Sequence, residues 1–145
     1  MSQAQASSRL RLARAVARVV MATAMVGIGI QHFRNPGPFI RIVPAWLPAP
    51  GLLVALSGVA EIALGLALLA PSGKVRRWAG YGLVALLVAV FPANVNMAIH
   101  QIQLTEGGTL PVWAMWARLP LQALFIALSL WATKPEPAPS AEASS

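Results

Sequence analysis

The chain has no cysteine and only four acidic residues in 145. Without cysteine it cannot carry disulfides, Cys-ligated zinc, iron–sulfur clusters or dithiol redox chemistry of its own. The same absence leaves the redox compartment open. Charged residues of both signs make up 10% of the sequence, against about 25% in a soluble domain. Also missing are a Ser/His/Asp arrangement, a phosphate-binding P-loop and a nucleotide fingerprint. No internal repeat is visible, and no basic stripe with interleaved aromatics offers itself to nucleic acid. The net charge of +7 and pI of about 11.7 are therefore read as topology and lipid-headgroup signals.

What the chain has in quantity is apolar sequence, 57% of its residues, with a mean hydropathy of +0.66. A soluble core of this size would not need so much. Four runs of about 20 residues suit membrane-spanning helices, at roughly 14–33, 51–70, 77–99 and 112–132. The expected fold class is all-α, an integral-membrane four-helix bundle over residues 14–132 with no extramembrane domain. Residues 1–13 and 133–145 read as disordered tails, the first basic and the second rich in Pro, Ala, Ser and Glu. Basic residues ahead of an apolar run can mimic a signal peptide. Here the run continues to Phe33, and an even-numbered bundle needs this helix.

Prolines punctuate the rest. Pro36, Pro38, Pro44, Pro48 and Pro50 make 34–50 a loop with one helical turn, lying in the interface or against the bundle mouth. Pro71-Ser72-Gly73 is a turn, and Pro92 is expected to kink the third span and free a carbonyl there. Residues 100–111 form a polar loop with a Gly-Gly break.

Arg9, Arg11, Arg14, Arg18, Lys74, Arg76, Arg77 and Lys134 gather on the side of the termini and the 71–77 turn. Arg34 and Arg41 lie on the other side, with Arg118 beneath it. The positive-inside rule then places both termini in the cytoplasm. Trp46, Trp113 and Trp116 fall at the outer ends of the spans, Trp78 and Trp131 at the inner ends, as aromatic belts do.

Two charges inside apolar spans stand out, Glu61 and Arg118. Charge at membrane depth is costly, so such residues face the bundle interior and find partners. Glu61 lies roughly 15 Å into the second span at the helical rise. His32 ends the first span, Asn94 and Asn96 lie near the outer end of the third, and Arg118 and Gln122 share a face of the fourth. The spans bring these residues to one depth in the outer half. The expected site is ligand-binding: His32, Glu61, Asn94, Arg118 and Gln122, with Glu61 and Arg118 as a bidentate ion pair. The pair reads either as a structural clamp or as a proton relay and anchor for a polar ligand head. His32 is a candidate proton carrier or quinone partner. A bis-histidine haem on His32 and His100 has no accompanying motif. Gly27, Gly29, Gly58 and Gly65 suit close helix packing.

The run Gly29-Ile30-Gln31-His32-Phe33, followed by Ile42-Val43-Pro44 and Leu47-Pro48, resembles the start of DoxX-like membrane proteins. Ser57-Gly58-Val59-Ala60-Glu61 with Gly65, Phe91-Pro92-Ala93-Asn94, and Arg118-Leu119-Pro120-Leu121-Gln122 extend the resemblance over residues 15–132. It implies a four-helix membrane bundle and a place near quinone-linked redox chemistry, since the family takes its name from a quinone-reducing thiosulfate oxidoreductase. Related four-helix proteins look like assembly factors. The expected function is a partner-dependent accessory subunit in the inner membrane, not a stand-alone enzyme, with the cofactor left open and quinone as the candidate. Its partners would be the lipid bilayer and a redox protein or membrane client, with homo-oligomers allowed and nucleic acid excluded. The alternatives are a cofactor-free membrane assembly factor and a small proton-coupled transporter. The second is disfavoured by the lack of half-repeats.

Overall fold

The computed structural model describes residues 3–104 and 110–135 as five helices: α1 (Gln3–Arg34), α2 (Pro36–Ile42), α3 (Pro50–Ala67), α4 (Gly73–His100) and α5 (Val112–Ala132). The four long ones are long and apolar enough to cross a membrane. In the most apolar stretch of each, only 17–22% is buried, so most apolar side chains face outward. Trp46, Trp78 and Trp113 are among the most exposed.

The boundaries follow local chemistry. Pro36 and Pro50 occupy the first turns of α2 and α3, where a missing N–H costs nothing and the fixed φ suits a helix. Val43 is extended because it precedes Pro44. Ser72 caps α4, its hydroxyl accepting from the Val75 amide at 3.5 Å. Gln101 ends α4 at a positive φ of 52°. α3 stops at Ala67, sooner than the expected 70, and Leu68–Pro71 turns the chain into α4.

Two expectations are corrected. Residues 3–13 are the opening turns of α1 and not a separate disordered tail; their Ala, Arg, Leu and Gln are good helix formers. The Pro-rich 34–50 segment, expected as a loop with one helical turn, contains a seven-residue helix, α2. The ends of the expected tails at 1–2 and 136–145, and residues 105–109 of the 100–111 loop, lie outside the described residues.

The long helices close a ring in chain order. α1 packs on α3, α3 on α4, α4 on α5, and α5 on α1, while α1/α4 and α3/α5 are diagonal, with no close backbone approach among the described residues. The α1–α3 and α4–α5 interfaces are the extensive ones, so the ring is two tight pairs joined by two lighter seams. α2 covers one end, touching α1, α3 and α4.

Two apolar clusters form the core. Met21, Ala22, Met25, Leu68, Ala79 and Leu83 fill the end near the termini. Ile42, Met97, Ala98 and Met115 fill the end under α2. The terminal end is tied by polar contacts as well. Arg18 donates to the Ala132 carbonyl at 2.9 Å, and the Arg14 guanidinium lies 5.8 Å from the centre of the Trp131 ring. Thr133 sits so close to Gly80 that a Cβ there would overlap its hydroxyl.

Candidate functional site

The polar residues gather at the α2 end, in two groups held by different helix pairs. The first straddles α1 and α3. Three glycines bring these helices together. A Cβ on Gly29 would lie 2.7 Å from the Gly58 carbonyl oxygen, and one on Gly58 would lie 2.9 Å from the His32 Cβ. Gly65, two turns along α3 from Gly58, meets Ala22, Met25 and Val26 at 3.1–3.2 Å in the same way. Such separations are open only to small residues.

This approach places His32 against Glu61, one turn beyond Gly29 and Gly58 respectively. His32 Nδ1 lies 3.1 Å from Glu61 Oε2, with side-chain exposures of 8% and 10%. Nδ1 is also 2.9 Å from the Ile28 carbonyl oxygen. A carbonyl only accepts, so Nδ1 carries the proton and donates it to Ile28. Glu61 Oε2 is buried and accepts no hydrogen bond. Phe39 of α2 stacks on the imidazole, with ring centres 4.0 Å apart and planes at 24°. The ring is thus held by α1, α2 and α3 together. His32 Nε2 and Glu61 Oε2 are the polar atoms that this pair can turn toward a ligand. The pair suits a ligand hydroxyl, and a proton can be held at either atom.

The second group lies between α4 and α5. Asn94 donates from Nδ2 to Gln122 Oε1 at 2.8 Å, and Gln122 donates from Nε2 to the Leu87 carbonyl. Leu87 is adjacent to Val88, whose carbonyl loses its helical partner to Pro92, so the glutamine serves the stretch of backbone that the proline loosens. Asn96 points elsewhere and donates to the Ile42 carbonyl at 3.0 Å, fastening the end of α2 to α4. Arg118 is half-buried one turn before Gln122. Its Nε is buried without a hydrogen-bond partner.

The expected Glu61–Arg118 ion pair is not formed. Among the described residues the close partner of the Glu61 carboxylate is His32. The reason lies in the ring: the α3 and α5 backbones are diagonal and do not approach each other among the described residues, whereas α1 and α3 approach closely at their glycines. Of the five expected site residues, the structure therefore joins His32 to Glu61 and Asn94 to Gln122, and leaves Arg118 joined to neither. Phe39 was not foreseen as part of the site. His100 is the last residue of α4, exposed, and its Nδ1 meets the Asn96 carbonyl of its own helix at 3.1 Å. No group of three or more His, Asp or Glu side chains able to hold a metal ion occurs among the described residues.

The sequence profile of a family described as a domain of unknown function, DUF8561, matches residues 21–133. That span runs from within α1 to the end of α5 and includes both polar groups. The chain belongs to this family. No curated protein and no solved structure matches it.

Proposed function

We propose that this DUF8561 member is a multi-pass inner-membrane protein of DoxX-like type that holds an apolar molecule with a polar head, of the quinone class. Its four apolar helices form a transmembrane bundle with both termini cytoplasmic, and its polar groups lie in the outer half. Four sufficiently long apolar helices with largely exposed apolar faces support the membrane placement. Eight of the eleven Lys and Arg residues on the side of the termini support the orientation.

One observation carries the ligand reading: the buried Glu61 Oε2 has His32 Nδ1 3.1 Å away, but that N–H points at the Ile28 carbonyl and leaves the oxygen without a well-aligned donor. A buried acceptor in that position gains from a further donor. A ligand hydroxyl would supply one, beside an imidazole fixed by Phe39 and Ile28. Arg118 Nε, a buried donor at the same end, suits a ligand oxygen. A quinone, when bound, would supply the electron chemistry that these side chains lack. Glu61 and His32 would orient its head and hold or release a proton at Oε2 or Nε2. Electrons would pass to a partner protein, so the chain acts as an accessory subunit and not as a stand-alone enzyme.

The test is purification from native membranes in mild detergent, followed by mass spectrometry of the lipids and proteins that accompany the chain. A stoichiometric quinone that disappears in Glu61→Gln supports the reading. Bulk phospholipid alone, the same in both proteins, refutes it.

A second reading, a membrane assembly factor, is favoured by a different feature. An apolar groove of about 530 Å³ opens between α1 and α5, floored by Ala13, Val16, Ala17 and Val20 and walled by Phe125 and Leu128. Small residues along a groove let another helix approach closely. This reading expects varied membrane clients, and Ala17→Leu should displace them while Glu61→Gln does not.

A further inference from the structure

The cavity at the opposite end of the bundle has a chemistry that neither reading uses. It has a volume of about 370 Å³ and is lined by Arg18, Lys74, Arg76, Arg77 and Lys134, with no carboxylate among its described residues. That volume is within the range of sites that hold small molecules. The cations come from three places in the sequence: α1, the start of α4, and the second residue beyond α5.

Two of the arginines are held in place by backbone. Arg18 donates to the Ala132 carbonyl at 2.9 Å, and Arg76 donates from one nitrogen to the carbonyls of Ala70 and Pro71, each at 2.8 Å. Backbone carbonyls at helix ends thus orient both guanidinium groups. Arg77 is steered by the Tyr81 hydroxyl, which accepts from its Nε at 3.3 Å. Lys74 and Lys134 are exposed and complete the rim. The 28-residue helix α4 begins at this cavity, and Gly73, its first residue, is part of the lining. The partial positive charge of that helix end adds to the five cations. Positive residues that merely set topology need only lie near a span end. Here they converge on one concavity, with two arginines fixed in position.

We propose that this cavity is a site for a phosphate-bearing anion, sized and charged for a headgroup with more than one negative charge. Basic pockets between helices on the cytoplasmic side suit multiply charged phospholipid headgroups, and planar guanidinium groups match phosphate oxygens in pairs. Two sources share this chemistry, an anionic phospholipid and a soluble phosphate ester.

The experiment uses the full chain in phosphatidylcholine nanodiscs, with and without diphosphatidylglycerol, and separately with added glycerol 3-phosphate. Binding is read by native mass spectrometry. The comparison protein is the double variant Lys74→Gln/Lys134→Gln, whose side chains make no internal contact that folding depends on; its helical circular dichroism and elution volume confirm the fold. Removing two lysines should weaken binding about 30-fold, taking about 1 kcal/mol for each surface cation. Diphosphatidylglycerol retained by the wild type and lost by the variant supports a lipid site. Glycerol 3-phosphate bound by the wild type and lost by the variant supports a soluble ligand. Equal retention by both proteins, or binding of neither probe to the wild type, overturns the proposal.

Discussion

His32 Nδ1 stands 3.1 Å from Glu61 Oε2, yet its proton is directed at the Ile28 carbonyl. The two side chains touch without that carboxylate oxygen accepting a hydrogen bond. A buried acceptor is held open beside a fixed ring, which separates the cost of placing Glu61 from the stability of the bundle.

Glu61→Gln should therefore leave the bundle standing. The amide keeps the shape of the carboxylate, and no hydrogen bond to Oε2 is lost. The expected change in unfolding free energy in detergent is within about 1 kcal/mol, while ligand retention falls to background. A large loss of stability would mean that the carboxylate is a structural clamp.

His32→Ala behaves differently. It removes the Phe39 stack and the hydrogen bond to Ile28, and opens space between three helices. A loss of about 1–3 kcal/mol is expected from the ring contact and the cavity together. Chemical unfolding in micelles, compared with Glu61→Gln, reads the difference.

Gly29 and Gly27 provide a matched pair. A methyl group on Gly29 would meet the Gly58 carbonyl, which is backbone and cannot step aside, whereas nothing lies within 4 Å of one on Gly27. Gly29→Ala should cost about 1–3 kcal/mol from overpacking. Gly27→Ala should be neutral or gain up to about 1 kcal/mol of helix propensity. Thermal unfolding of both variants checks the assignment of the α1–α3 seam, which equal effects would contradict.

Arg118→Met tests the missing ion pair. With no carboxylate partner to strand among the described residues, the substitution should not reproduce the roughly 3–5 kcal/mol penalty of breaking a buried salt bridge. Its effect should add to that of Glu61→Gln within about 0.5 kcal/mol. A double-mutant cycle with strong coupling would restore the pair.

Asn94 and Gln122 should couple instead. Their side-chain hydrogen bond crosses α4 and α5 at 2.8 Å, and such bonds between membrane helices are worth about 0.6 kcal/mol on average. A cycle built from Asn94→Ala and Gln122→Ala should return a coupling of that size.

Much of the architecture was legible in the sequence, because runs of about 20 apolar residues have few other uses. The prolines marked the breaks around α2 and hid the helix itself, although Pro36 sits where a helix starts, a position proline favours. Opposite sign suggested Glu61 with Arg118, but sign says nothing about which helices are neighbours. The legible signal was a spacing. Gly29 and His32, like Gly58 and Glu61, are three residues apart, so each polar group stands one turn from the point where the helices come closest. Phe39 could not be foreseen, since the way α2 folds over α1 is decided by tertiary packing and by the Asn96 bond to Ile42.

The bond from Arg18 to Ala132 has a mechanical meaning. It crosses the lighter α1–α5 seam at one extremity of the bundle, next to the tight fit of Thr133 on Gly80. His32 with Glu61, and Asn94 with Gln122, each belong to a single helix pair and so do not bolt the pairs to each other. At the histidine end the pairs are joined through α2, which touches α1 and α3 and is fastened to α4 by Asn96. A guest that parts the two halves there has to lift this short helix, while the Arg18–Ala132 fastening at the far end can stay closed.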